Sequence, residues 1–126
     1  MDQFNVLISL LLESRTQSHI FHWRFSKTPG SGFGHLATGA YYDAIGDLID
    51  TLVESYQGRC GLISGFKPSK QFIEDPSQAC EYFKRLVKTV ELFREKECCN
   101  VGYIQNQLDS IIELLYVTIY KLENQI

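Results

Sequence analysis

The chain has 126 residues, of which 44% are hydrophobic and 21% charged, with a formal charge of −3 from 12 Lys and Arg against 15 Asp and Glu. These values describe one folded domain spanning 1–126 and exclude a disordered or low-complexity chain. The acidic balance, and an opening Met1-Asp2-Gln3-Phe4 without a basic arm, argue against direct DNA or RNA binding. No apolar run approaches the ~18 residues of a membrane span and no signal peptide opens the chain, so a soluble cytoplasmic protein is expected.

The pattern predicts four helices. The first runs from about Asp2 to Phe25, rich in Leu and Ile, and stops at the breakers Ser26-Lys27-Thr28-Pro29-Gly30-Ser31-Gly32. The second runs from about His35 to Tyr56 and ends at Gly58. Asp75 as N-cap, Pro76 at the first helical position and Gln78 three residues after the cap announce the third, which continues to about Glu97. The fourth carries Ile104, Leu108, Ile111, Leu115, Ile119 and Leu122 at helical spacings. No segment alternates with period two, so no sheet is expected.

The connections fix the expected architecture. Only a few residues join the third and fourth helices, making them antiparallel neighbours. The 17 residues from Arg59 to Asp75 exceed the usual ~2–8 between adjacent bundle helices. They can reach about 56 Å when extended, more than the ~33 Å of a 22-residue helix. The expectation is an all-α, ferritin-like four-helix bundle with a long crossover between helices 2 and 3.

The cysteines Cys60, Cys80, Cys98 and Cys99 contain no C-x-x-C pair, and they read as packed thiols in a reducing compartment. On a helix the neighbours Cys98 and Cys99 would diverge by about 100°, which favours packing over a bridge.

The second helix places Ala37, Tyr41, Ala44, Ile45, Leu48, Ile49, Leu52 and Tyr56 on a core face. Asp43, Asp47, Asp50 and Glu54, spaced four, three and four, form a stripe almost opposite. Such a stripe is ordinarily a solvated surface. The first helix is apolar over more than half its circumference, wider than the ~100° stripe that a bundle helix needs, and the surplus points to a second subunit. His19 and His22 lie three apart on it, and His35 is the remaining histidine. Carboxylates facing away from their own core can enter a buried site only if another chain closes it. Imidazoles from one partner and carboxylates from the other would make a mixed donor set suited to iron, zinc or manganese.

At these residues the chain resembles a known family. His19-Ile20-Phe21-His22-Trp23, followed by a Gly-containing turn, Phe33 and His35-Leu36, and then Ile49-Asp50-Thr51-Leu52-Val53-Glu54, looks like the first half of the Dps mini-ferritins. The His35–Asp50–Glu54 intervals match the family, and His22 to His35 needs one extra residue in the turn. The resemblance covers His19 to Glu54 and implies a homo-oligomer, at least a dimer and commonly a dodecameric shell, with di-iron centres at two-fold interfaces. It assigns His22 and His35 to one subunit's share of the metal and Asp50 and Glu54 to its neighbour's. Trp23 would stand beside the oxidation chemistry, with His19, Asp43 and Asp47 as further candidate ligands. The implied activity is a ferroxidase: oxidation of ferrous iron by peroxide or oxygen, followed by storage. Gly39 stands where the family has an acidic ligand, and the lysine-rich extension used for DNA binding is absent. The short chain is similar to compact Dps-like proteins of large phages, which implies the bacterial cytoplasm or an infected host cell.

Two other readings compete: a non-catalytic oligomeric bundle binding a small ligand such as a nucleotide or signalling molecule, and a structural or interaction module. On the fourth helix Asp109, Glu113, Tyr116 and Tyr120 read as a polar rim. Lys84, Arg85 and Lys88 read as a solvated face. Gly61 to Lys70 lacks the P-loop order.

Overall fold

The computed structural model describes residues 3–25 and 32–124. It contains helices α1 (Phe4–Phe25), α2 (Gly32–Cys60), α3 (Ala79–Arg94) and α4 (Gly102–Glu123), with short 3-10 turns at Pro76–Gln78 and Glu97–Cys99. The described residues form no strand, and none of their helices is long and apolar enough to cross a membrane. The all-helical, four-helix expectation is met. The expected start at Asp2 and the breakers Ser26 to Ser31 lie outside the described residues, whereas Gly32, read as the last breaker, opens α2 three residues before the expected His35.

Helix boundaries follow local chemistry. Helix α2 passes through Gly58 and ends two residues later, where Gly61 takes φ +92° and donates its N–H to the Gln57 carbonyl at 2.8 Å. This left-handed C-terminal turn costs glycine nothing sterically. At the start of the third segment Asp75 accepts from the Ser77 N–H at 3.0 Å, and that bond holds its carboxyl below the ordinary carboxylate range. The chain then makes one 3-10 turn through Pro76 before α3 proper. Helix α3 stops at Arg94, earlier than the expected Glu97, and the chain re-forms a 3-10 turn at Glu97–Cys99.

Helices α1 and α2 are antiparallel: Phe4 stacks on Tyr56 at 3.8 Å at one end, and His22 meets His35 at the other. Residues 61–75 then run back beside α1 for most of its length. Asn5 Nδ2 donates to the Gly65 carbonyl at 3.1 Å, and the Lys67 N–H donates to Ser9 Oγ at 3.1 Å. Glu13 accepts from both the N–H and the hydroxyl of Ser69, at 2.8 and 2.9 Å. Gln17 accepts from the Ile73 N–H and donates to the Ile73 carbonyl, both at 2.7 Å, and Arg24 Nε donates to the Glu74 carbonyl at 3.1 Å. Helix α3 therefore begins at the histidine end, where Phe83 packs near Phe21 and Tyr41. It runs parallel to α2, and α4 returns antiparallel to both. The two ends of this return are tied to α3 by Arg94–Asp109 and Lys84–Glu123.

The core is a continuous apolar cluster through all four helices, including Phe4, Phe21, Tyr41, Phe83 and the whole Ile104–Leu122 stripe of α4. Ser14 Oγ donates to the Leu11 carbonyl and accepts from the buried Tyr41 hydroxyl at 2.7 Å. Burial pushes the Tyr41 phenol well above its ordinary pKa. The expected α2 core face holds except at Ala44, which is exposed, and Leu48, which is half-buried. Ala44 sits at the edge of the face, beyond the reach of α1 and α4. Helix α1 keeps apolar side chains in solvent: Val6, Leu12 and Trp23 are 45%, 46% and 56% exposed.

The Gln17 pair generates a prediction. Gln17 is buried, so Gln17→Ala leaves the half-buried Ile73 N–H and carbonyl without their partners, at a cost of about 1–3 kcal/mol. Urea unfolding should show a lowered midpoint, and hydrogen exchange at the Ile73 amide should accelerate while the α4 core amides change only with global stability.

Candidate metal centre

His22 lies in the last turn of α1 and His35 in the first turn of α2. Their rings stack at 3.7 Å with an 18° interplanar angle. Each ring hydrogen-bonds the other residue's backbone: His22 Nδ1 to the His35 carbonyl at 2.6 Å, and His35 Nδ1 to the His22 carbonyl at 2.8 Å. A carbonyl oxygen only accepts, so both Nδ1 atoms carry the proton. In the neutral rings Nε2 is then the acceptor nitrogen, which is the arrangement that metal-binding histidines use. Neither backbone carbonyl can release its ring without breaking the link between the helix ends.

Gly39 completes this seat. A Cβ built there would lie 2.9 Å from both Cε1 and Nδ1 of His22, so the imidazole occupies the space of a side chain. Helix α2 is anchored nearby through Thr38, whose carbonyl accepts from Ser18 Oγ at 2.8 Å and whose hydroxyl donates to the Gly34 carbonyl at 2.7 Å.

The other candidates divide. His19 is drawn into an aromatic cluster, with its ring 4.1 Å from Trp23, 4.0 Å from Tyr42 and 6.3 Å from His22. Arg15 lies over the Tyr42 ring, 4.6 Å from its centroid. Asp43, Asp47, Asp50 and Glu54 are all exposed and, among the described residues, enter no ion pair. Asp50 lies 15 residues beyond His35, about 22 Å along the helix, and Glu54 about 28 Å. The structure thus unites His22 with His35 and leaves Asp50 and Glu54 far from both. Among the described residues no three His, Cys, Asp or Glu side chains of one chain converge on a common point.

Residues 33–122 match a family of unknown function, DUF5856. The chain belongs to that family. The matched region contains His35, Gly39, Asp50 and Glu54 and begins after His22. No curated protein matches the chain, and no solved structure does.

Several residues that shape the site escaped the sequence reading. Tyr42, one side of the His19 cluster, was passed over between the core and acidic faces of α2. The row Asn5, Ser9, Glu13 and Gln17 had a visible signal, since these polar residues recur every four positions, the first three of them separated only by apolar residues. Of the α4 stripe, Asp109 is held by Arg94, which keeps its carboxyl below the ordinary range, and Tyr116 donates to Glu91 at 3.0 Å.

The seat is testable by substitution. Gly39→Ala should displace the His22 ring and abolish the slowly exchanging Nδ1–H proton signal of that histidine. Gly58→Ala, where a Cβ meets nothing within 4 Å, should keep the signal and be neutral or stabilising by about 0.5–1 kcal/mol.

Proposed function

We propose that the chain is a ferritin-like, Dps-type subunit that binds ferrous iron at sites shared between two copies. His22 and His35 of one copy and Asp50 and Glu54 of the other supply the ligands. The observation that carries this reading is the reciprocal imidazole–carbonyl pair, which fixes both histidines in the tautomer whose Nε2 can ligate. The crossover from the end of α2 to the start of α3 and the apolar residues exposed on α1 support it as well.

Iron is the substrate and cargo of this reading. Imidazole nitrogen holds the ferrous ion, and the hard carboxylate oxygens favour the ferric product. Peroxide or oxygen is the electron acceptor, and Trp23, exposed one residue after His22, stands where oxidising equivalents emerge. Zinc or manganese fits the same donors. Because the His22 ring occupies the space over Gly39, each site has one carboxylate fewer than the Dps pattern, and oxidation should be slow relative to binding. His19, Asp43 and Asp47 serve the approach of the cation rather than the site itself.

A second reading has its own observation. Phe33, Leu36, Ala37, Ala40, Tyr120, Lys121 and Asn124 line a groove of about 520 Å³ between the start of α2 and the end of α4, within the size range of small-molecule sites. A non-catalytic bundle would use it for a flat, partly apolar, anionic ligand such as a nucleotide.

Cobalt(II) titration of chelator-stripped protein, followed by visible absorption, tests the metal reading. Wild type should bind, and His22→Ala or His35→Ala should weaken binding by at least about 10-fold. Ferrous iron with peroxide should then give growing ferric absorbance. Equal, slow oxidation by wild type and an Asp50→Ala/Glu54→Ala variant would remove the ferroxidase proposal.

A further inference from the structure

Cys98 and Cys99 do not diverge as their adjacency on a helix would require. They lie in the 3-10 turn Glu97–Cys99 between α3 and α4, and their sulfurs are 3.1 Å apart, one thiol donating to the other. The turn that brings them together is closed by its own backbone: the Cys99 N–H donates to the Lys96 carbonyl at 3.0 Å and the Val101 N–H to the Cys99 carbonyl at 2.9 Å. Gln105 Nε2 holds the preceding Arg94 carbonyl from α4 at 3.3 Å. Cys98 is half-buried, and Cys99 is fully buried against the core.

We propose that Cys98 and Cys99 form a reversible two-electron redox site, a vicinal dithiol that a hydroperoxide closes into a disulfide. The division of labour follows from exposure. Cys98 is the thiol an oxidant can reach, and Cys99 is the resolving thiol held against it. The Cys98 sulfur gives up its proton and attacks one peroxide oxygen, the O–O bond breaks, and the departing hydroxide takes up a proton and leaves as water, giving a sulfenic acid. The Cys99 sulfur gives up its proton and attacks the Cys98 sulfur, the S–S bond forms as the S–O bond breaks, and the sulfenic hydroxyl takes up that proton and leaves as a second water. Two thiols and one hydrogen peroxide become one disulfide and two waters, with two electrons passing from sulfur to oxygen.

Closing the ring requires the sulfurs to approach by about 1 Å, from 3.1 Å to the ~2.04 Å of an S–S bond. Adjacent Cα atoms are held about 3.8 Å apart by the peptide between them, below the roughly 4.4–6.8 Å of ordinary disulfides. The closed form is therefore strained and easily reduced, as labile disulfides are. Nothing in this chemistry uses His22, His35 or a metal, so it stands whether or not iron binds.

The test treats chelator-stripped full-length protein with stoichiometric hydrogen peroxide and analyses tryptic peptides without reduction. Cleavage after Lys96 and Lys121 leaves Cys98 and Cys99 as the sole cysteines of one peptide. That peptide should lose two hydrogens and regain them with dithiothreitol, in wild type and in Cys60→Ser/Cys80→Ser alike. In Cys99→Ser, Cys98 should instead be trapped by dimedone as the sulfenic acid. In Cys98→Ser, which changes only the half-buried residue, Cys99 should give no adduct. Oxidation confined to Cys60, or Cys98 passing to the sulfinic acid in wild type without any disulfide, would overturn the proposal.

Discussion

The arrangement of the molecule depends on how residues 61–75 adhere to α1. Asn5, Ser9, Glu13 and Gln17 recur at four-residue intervals and hold the backbone of the crossover at Gly65, Lys67, Ser69 and Ile73. An extended segment has no partner strand here, so side chains must satisfy its N–H and carbonyl groups. By carrying the chain back to the histidine end before α3 begins, this row makes α2 and α3 parallel. A short turn after α2 would have made them antiparallel. It also runs along one flank of α1 while leaving Leu12 and Trp23 partly in solvent.

At the histidine end the controlling constraint is a missing atom. With no Cβ at Gly39, the His22 ring lies against the α2 backbone, close enough to bond the His35 carbonyl while His35 bonds back. The same contact joins the end of α1 to the start of α2 and decides which imidazole nitrogen remains an acceptor. Structure and chemistry are thus coupled: the link that joins the helix ends also leaves Nε2 as the acceptor nitrogen of both rings. Asp50 and Glu54 lie about 22 and 28 Å along α2 from His35 and do not reach the two rings from within the same chain. The proposed four-ligand site is therefore one that only a second copy of the chain could complete.

Much of this was legible in the sequence because helices announce themselves through period and caps. The α4 stripe, the Asp75-Pro76 start and the long second connection each state a local preference that tertiary packing did not override. Helix ends were less legible. Gly58 looked like a stop, yet the helix continued through it to Gly61, which takes the left-handed conformation. Cys98 and Cys99 were misread for a related reason: their separation was inferred from an α-helix that had already ended at Arg94. For the site, the pairing of His22 with His35 was suggested by the family resemblance alone. The reciprocal bonding, and the reason for glycine at 39, required knowing which surfaces meet in space.

Subunit mixing tests the central claim, that a complete metal site takes histidines from one copy and carboxylates from another. His22→Ala/His35→Ala and Asp50→Ala/Glu54→Ala proteins are each purified, their cobalt binding measured, and the two unfolded together and refolded at equal ratio. With random pairing across a two-fold interface, half the pairs are mixed and each mixed pair restores one of its two sites, so binding should return to about a quarter of wild type. A mixture that binds no more cobalt than the two variants measured separately, while wild type binds it tightly, would contradict the shared site.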